Sequence, residues 1–553
     1  LGNMGDSASL ADFLRWGIAD HPAAHMGLIF WNHGGGSISG VCFDERNDSD
    51  SLSLREIDAA LLSVYDSMTD NFEFVGFDAC LMSTLETANV LTPYARYMYA
   101  SQEMEPGSGW DYTSLLNNLA ANPDQDGAQL GEKVCREYYD HCADYGFGSQ
   151  RSATFSIIDL SKIDDVLISM NEAFRVVYEQ GDLGDVTRAV LEADSFGGNS
   201  VSEGYSNMLD LGNILDQLSG YGQEVRDASQ TLQSCVLYTM NGRLHKNASG
   251  LSVYYPVSIQ GSEELKIFSR ICPSNYYYAL IDKIAYGAEN GSAADYDNST
   301  LLSDMADINE WLGEESGFTG DVSTNAGEFA DIEIGQMGVS DIYFDEDGIY
   351  TVSFDNMDEL AYACCSVGMD DDADGFFYLG TTEEVIYDID RNCVTDNFDG
   401  SWPCINDNLL ALELVNTTDS CSIYTCNVLL NDEVETNLRI EYDWEYDEWS
   451  VIGIWDGIDE ETGMASREVY ELQDGDVITP AYYWFSVDDD EDWYYGDDIV
   501  VDGDLEITYE YLPEGVYYYC FELHDIYGNV YYTPFTLQYV DEDGEVWVDG
   551  EFY

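Results

Sequence analysis

Apolar runs alternate with amphipathic stretches through the first half of the chain. SASLADFLRWGIAD (7–20) reads as a capped amphipathic helix, and MGLIFW (26–31) as a buried strand. SLSLREIDAALLSVYDSM (51–68) predicts a second helix, with Ser53 as N-cap and Glu56 three residues on. FEFVGFD (72–78) is a strand running directly into a helix over LMSTLETANVL (81–91). ARYMYAS (95–101) and SATFSIIDL (152–160) are further strands, separated by helices over SLLNNLAAN and GEKVCREYYDHCADY. SKIDDVLISMNEAFRVVYEQ (161–180) is a long helix, and GLSVYYP (250–256) a late strand. Near-continuous apolar strands between helices of ten or more residues predict parallel βαβ units, the sheet covered on both faces.

The texture changes near residue 291. GSAADYDNST opens a linker (291–325), and from about 326 the chain breaks into short aromatic and β-branched runs. GIYTVSF, LRIEYDWEY, VYYYCFELHD and GNVYYTPFTLQYV are typical, with turn residues between them. Residues 326–553 therefore read as acidic, β-rich domains, an antiparallel β-sandwich region. Together with an α/β domain over 1–290, this is the expected division.

Composition narrows the function. The 553 residues carry a formal net charge of −89, which argues against nucleic acid and anionic membranes as partners and favours basic peptides or cations. Of the 19 Lys and Arg residues, only Arg391, Arg439 and Arg467 lie beyond residue 300. No apolar run approaches the 18 or so residues of a membrane span. The 13 cysteines include the adjacent pair Cys364 and Cys365, and an odd count leaves at least one unpaired. Disulfides in the β-rich half are open; no CxxC pair of zinc-site spacing occurs.

Candidate chemistry sits where two strands end. LIFW runs into Asn32-His33-Gly34-Gly35-Gly36, and FVGFD into Asp78-Ala79-Cys80. If these strands are neighbours, His33 and Cys80 face one crevice at the carboxyl edge of the sheet. A thiol reacts as thiolate, and a helix beginning at Cys80 would lower its pKa. His33 would then serve as proton carrier, while the glycines let the backbone approach a substrate. The plainer readings are a packed cysteine, a structural histidine and a glycine turn.

The two stretches, with NMGD (3–6), GVCFDE (40–45), SQEMEPGSGWDY (101–112) and GLSVYYP, resemble the clostripain-like cysteine peptidases, relatives of caspases, gingipains and legumain. The resemblance covers residues 1 to about 285. It implies a caspase-like α/β sheet with flanking helices, although the strand that family members carry before NMGD is missing here. It implies Cys80 as nucleophile, His33 as general acid/base, and Gly34 with the Cys80 amide as oxyanion hole. A preference for Arg, then Lys, at P1 would rest on Asp78 in the S1 pocket, with Asp111 a second acid or a helix cap. Ser101 would offer its backbone to the substrate. The chemistry would need no cofactor; calcium is a candidate ligand with no site identified. Asp370–Gly375 begins like a calcium loop but has Thr381 where the closing Glu belongs.

The reading is of a secreted or cell-surface bacterial endopeptidase, with peptides bearing a basic P1 residue as partners. Its signal segment is not visible, because the chain begins inside a domain. Cleavage of itself after Arg46, in a polar run between the two motifs, is expected, and Arg55 is shielded in a helix. The scarcity of basic residues beyond 300 would make that half resistant to the enzyme. The alternatives are a non-catalytic surface binding or adhesin protein built on a degenerate peptidase domain, and a legumain-like enzyme of different specificity.

Overall fold

The computed structural model describes residues 2–290 apart from 144–146 and 259–261. It also describes residues 338–552 apart from 346–347, 356, 358–359, 372–374, 419, 460–461, 468, 487–490, 504, 527–529, 542–545 and 549. The 291–325 linker thus lies outside the described residues.

The N-terminal half is built on a five-stranded sheet: β1 (Gly27–Trp31), β2 (Phe72–Asp78), β3 (Ala95–Ala100), β4 (Thr154–Asp159) and β5 (Val236–Asn241), in that spatial order. β1, β2 and β3 run parallel. β4 is antiparallel to β3, and β5 to β4, so the sheet is mixed rather than wholly parallel. The fifth strand, VLYTMN, carries polar residues and half-exposed positions that hid it from a search for apolar runs. GLSVYYP contributes only Ser252–Tyr254, which joins Met208–Asp210 in a separate three-stranded sheet.

Alternate residues along each strand face opposite layers. Leu28, Phe30, Val75, Phe77 and Met98 enter one core with helices Ser7–Asp20, Leu54–Val64 and Ile163–Gln180. Phe74, Tyr99 and Phe155 enter another with helices Tyr112–Ala121 and Gly127–Cys142. The helix starts follow capping chemistry. Asp6 accepts from the Ala8 amide, and Ser53 and Glu56 form the reciprocal box expected from their spacing.

The C-terminal half is β-rich. A 14-stranded sheet includes the long strands Leu360–Asp370, Cys421–Leu430, Val434–Asp443 and Gly515–Asp525, and its ladders are antiparallel except for one bridge between Gly380 and Leu412. Two apolar clusters fill it, one around Tyr350, Trp402 and Phe521, the other around Leu438, Ile454 and Ile478. All 13 cysteines are free thiols, and all but Cys42 are buried. Of the suspected calcium loop, Asp371 accepts from the Gly375 amide and from the Trp484 indole; residues 372–374 lie outside the described residues.

The two halves meet through ion pairs of both polarities. Arg151 and Arg243 of the first reach Glu441, and Arg243 also reaches Asp443. In return, Arg439 makes a two-pronged contact with Glu203, its Nε at 2.8 Å and Nη2 at 2.6 Å, while lying over the Trp455 ring. The Ile458 amide donates to the Glu203 carbonyl at 2.7 Å. Two of the three arginines of the β region are therefore spent on docking: Arg439 here, and Arg467 at the site described next.

Candidate active site

The pairing of β1 with β2 sets Trp31 opposite Asp78. His33 and Cys80 each lie two residues past that pair, so they leave neighbouring strands at the same sheet edge. The glycine after His33 allows the closest approach. A Cβ on Gly34 would stand 2.1 Å from the Cys80 carbonyl oxygen and 3.1 Å from its nitrogen, so only glycine lets the two backbones touch. Gly34→Ala is expected to force the strand ends apart, costing about 1–3 kcal/mol as an overpacked site does. Turnover should fall more than substrate binding. Thermal unfolding together with kcat and KM would check this, and unchanged values would contradict the close contact.

Cys80 is fully buried, and no helix begins at it. Leu81 has φ +64°, the Thr84 amide turns back to the Met82 carbonyl, and Thr84 pairs with Ser252. The next helix is Leu85–Leu91, capped by Thr84 itself. The expected pull of a helix terminus on the thiol is therefore missing. Burial pushes the Cys80 thiol up to about 12; the Arg467 guanidinium opposes this only in part, and Glu105 and Glu103 add to it. The Glu105 amide donates to Cys80 Sγ at 3.3 Å. Leu81, Met104, Phe196, Trp455, Ile458 and Ala465 close around it.

Asp78 is also fully buried. Its Oδ2 accepts from the Tyr112 hydroxyl at 2.9 Å and the Trp110 amide at 3.2 Å. Gly109, at φ +62°, brings the loop so close that a Cβ there would meet the Asp78 carboxylate at 2.5 Å. Oδ1 accepts from Arg467 Nη2 at 2.5 Å. Arg467 Nη1 donates to the Asn32 carbonyl at 3.3 Å, and Nη2 lies 4.0 Å from Glu105 Oε2.

Glu105 is the carboxylate that sequence reasoning missed. It is fully buried, and burial followed by the neighbouring Asp78 charge drives its pKa well above the usual range. Asp111, offered as a second acid, instead caps helix Tyr112–Ala121 by accepting from the Ser114 amide. The Ser101 carbonyl accepts from the Ser83 amide at 2.8 Å, and its hydroxyl pairs with Thr154, so both groups serve the fold. Arg46 is exposed in the turn between strands Val41–Asp44 and Asp50–Leu52, and Arg55 lies in helix Leu54–Val64.

His33 is tied to the β region. Its Nδ1 lies 2.9 Å from the Ala465 carbonyl oxygen. A carbonyl can only accept, so Nδ1 carries the proton in this arrangement. The same loop fits the glycine triplet: a Cβ on Gly35 would meet the Gly463 carbonyl at 2.4 Å. The structure thus places His33, Gly34, Asp78 and Cys80 at one sheet edge, adds Glu105, and packs the segment ending at Arg467 against them.

Residues 2–291 match the model of the clostripain family. Clostripain of Hathewaya histolytica is 29% identical over 154 residues, which are 24% of this chain and 28% of clostripain, so the chain matches well under half of that relative's length. Two solved structures are similar. One is a secreted C11 cysteine protease from Bacteroides thetaiotaomicron in complex with an irreversible peptide inhibitor, 19% identical with a TM-score of 0.37, covering 50% of this chain and 78% of that one. The other is an inactive zymogen C11 protease from Parabacteroides distasonis, 16% identical with a TM-score of 0.37, covering 50% and 76%.

Proposed function

Because the chain belongs to the clostripain family, we propose that it is a cysteine endopeptidase cutting peptide bonds after arginine, and less readily after lysine. The observation that carries this reading is the buried Asp78 carboxylate, two residues before Cys80 and already accepting a guanidinium N–H at 2.5 Å. A buried carboxylate held by two further donors is the feature that selects a basic side chain over a neutral one.

In this reading the Cys80 thiolate adds to the scissile carbonyl after His33 takes its proton. The developing oxyanion lies against the Gly34 and Cys80 amides, whose backbones touch. Collapse expels the amine with a proton from His33, and water then hydrolyses the thioester with His33 as base. No step requires a metal, and calcium has no assigned role. The substrates are peptides or unfolded protein segments. No helix among the described residues is long and apolar enough to cross a membrane, and secretion or surface display remains part of the proposal.

Arg46 is the proposed self-processing point. It is exposed, but the turn is held by the Asn47 amide donating to the Asp44 carbonyl at 2.8 Å, so cutting requires the turn to open. Fluorogenic peptides with Arg, Lys or Asn at P1 should be hydrolysed in that order, with Asn at background. Mass spectrometry of active protein should show a new N-terminus at Asn47. Asn-selective hydrolysis would overturn the specificity, and a fully active intact chain would overturn the processing.

A further inference from the structure

We propose that the β region is the peptidase's own inhibitor, with the segment Thr462–Arg467 lying in the substrate crevice and Arg467 filling the pocket for the basic side chain. The inference rests on the proposed specificity and adds a mode of regulation to it.

Three independent contacts support it. The Arg467 guanidinium reaches Asp78, the acid expected to select the substrate, across a separation of 389 residues. The Ala465 carbonyl occupies His33. The Gly463 backbone rests on Gly35, where only glycine leaves room for it. A segment packed here for stability alone would not need to engage the nucleophile's neighbour, the proton carrier and the glycine turn together. Ala465 and Ile458 share the apolar cluster that holds Cys80, and the thiol is fully buried.

The segment is held as an inhibitor is held. Trp455 Nε1 donates to the Ser466 carbonyl at 2.9 Å, the Ser466 amide donates to the Gly457 carbonyl at 3.0 Å, and Ile458 bridges to Ala465. A backbone pinned on both sides resists the distortion that attack on its carbonyl groups requires. The fit is also incomplete. Arg467 Nε and Glu105 Oε2 are buried without hydrogen-bond partners. A ligand that satisfied both would compete well, so the latch can be displaced.

The test uses the full chain with Arg467→Lys, Arg467→Ala and Arg467→Glu, and Arg391→Ala as a control at an exposed arginine of the same region. Two readouts are taken at pH 8. One is hydrolysis of a fluorogenic Arg peptide. The other is the rate of iodoacetamide labelling at Cys80, resolved from the other cysteines by peptide mass spectrometry. Circular dichroism melts identify any variant that fails to fold.

Both rates should rise by on the order of 10- to 100-fold in Arg467→Ala. Arg467→Glu should rise at least as far, because its carboxylate would face Asp78 and Glu105, and Arg467→Lys should lie between. Arg391→Ala should match wild type. Equal labelling and equal hydrolysis in wild type and Arg467→Ala would overturn the latch while leaving the peptidase reading intact. Faster labelling with no hydrolysis of any basic peptide would support the latch and overturn the specificity. Unchanged labelling with no hydrolysis in any chain would overturn both.

Discussion

Replacing Cys80 by alanine is expected to reduce hydrolysis of Arg peptides by about 10⁴- to 10⁶-fold, the scale on which removing a nucleophile acts. The comparison is cleanest in a chain that also carries Arg467→Ala, where the crevice is open at the outset. The loss should be chemical rather than structural. The side chain is fully buried, and deleting one sulfur from a cluster that includes Leu81, Met104 and Trp455 costs only about 1 kcal/mol through the small void it leaves. Thermal melts should therefore nearly coincide while progress curves differ by orders of magnitude. His33→Ala should lower the rate strongly too. The double variant should be little worse than either alone, since the two side chains act as one unit. Residual hydrolysis equal to the parent would mean that the reaction belongs to another group.

Asp78→Asn is the second substitution of large effect, and its signature is crossed. Removing one partner of a buried charge pair leaves the other uncompensated, typically a cost of about 3–5 kcal/mol. For an incoming arginine this predicts a fall in kcat/KM of about 10²- to 10⁴-fold. For Arg467, already seated there, the same loss weakens the latch. Hydrolysis of Arg peptides should fall while alkylation of Cys80 rises. A variant that was simply misfolded would lose both activity and its cooperative melt. A variant in which Asp78 merely supported the Trp110 loop would lose activity without exposing the thiol. Parallel kinetics and labelling on one preparation would distinguish these outcomes.

Local chemistry made much of the N-terminal half legible. The helix at Ser7–Asp20 and the Ser53–Glu56 box are written in adjacent residues, and β1 to β4 are apolar because both faces of their sheet are covered. The edge strand β5 was not legible, since half-exposed positions dilute its apolar pattern. Nor was the break after Cys80. LMSTLETANVL has helical spacing throughout, yet Leu81 to Thr84 are drawn away by pairing with the segment around Ser252. Glu105 looked like one acid among many in SQEMEPGSGWDY; its burial beneath Trp110 is a property of the folded loop. Arg467 lies hundreds of residues from Asp78 in sequence, and no local pattern could link them. The one available signal was scarcity. A region with three basic residues places two of them against buried carboxylates of the other half, which a count shows to be unusual but does not explain.

The Arg467–Asp78 contact has a further consequence that depends on how the two halves are joined. Residues 291–337 contain no lysine or arginine, so an enzyme of this specificity cannot sever that connection itself. While the chain is continuous, the contact is intramolecular, and the inhibitory segment acts at an effective concentration independent of dilution. Once another peptidase cuts the connection, the same contact becomes a bimolecular equilibrium governed by the bulk concentration of the parts. Activity would then increase on dilution. The switch would register two separate events, a cut made by a protease of different preference and the spreading of the fragments into a larger volume.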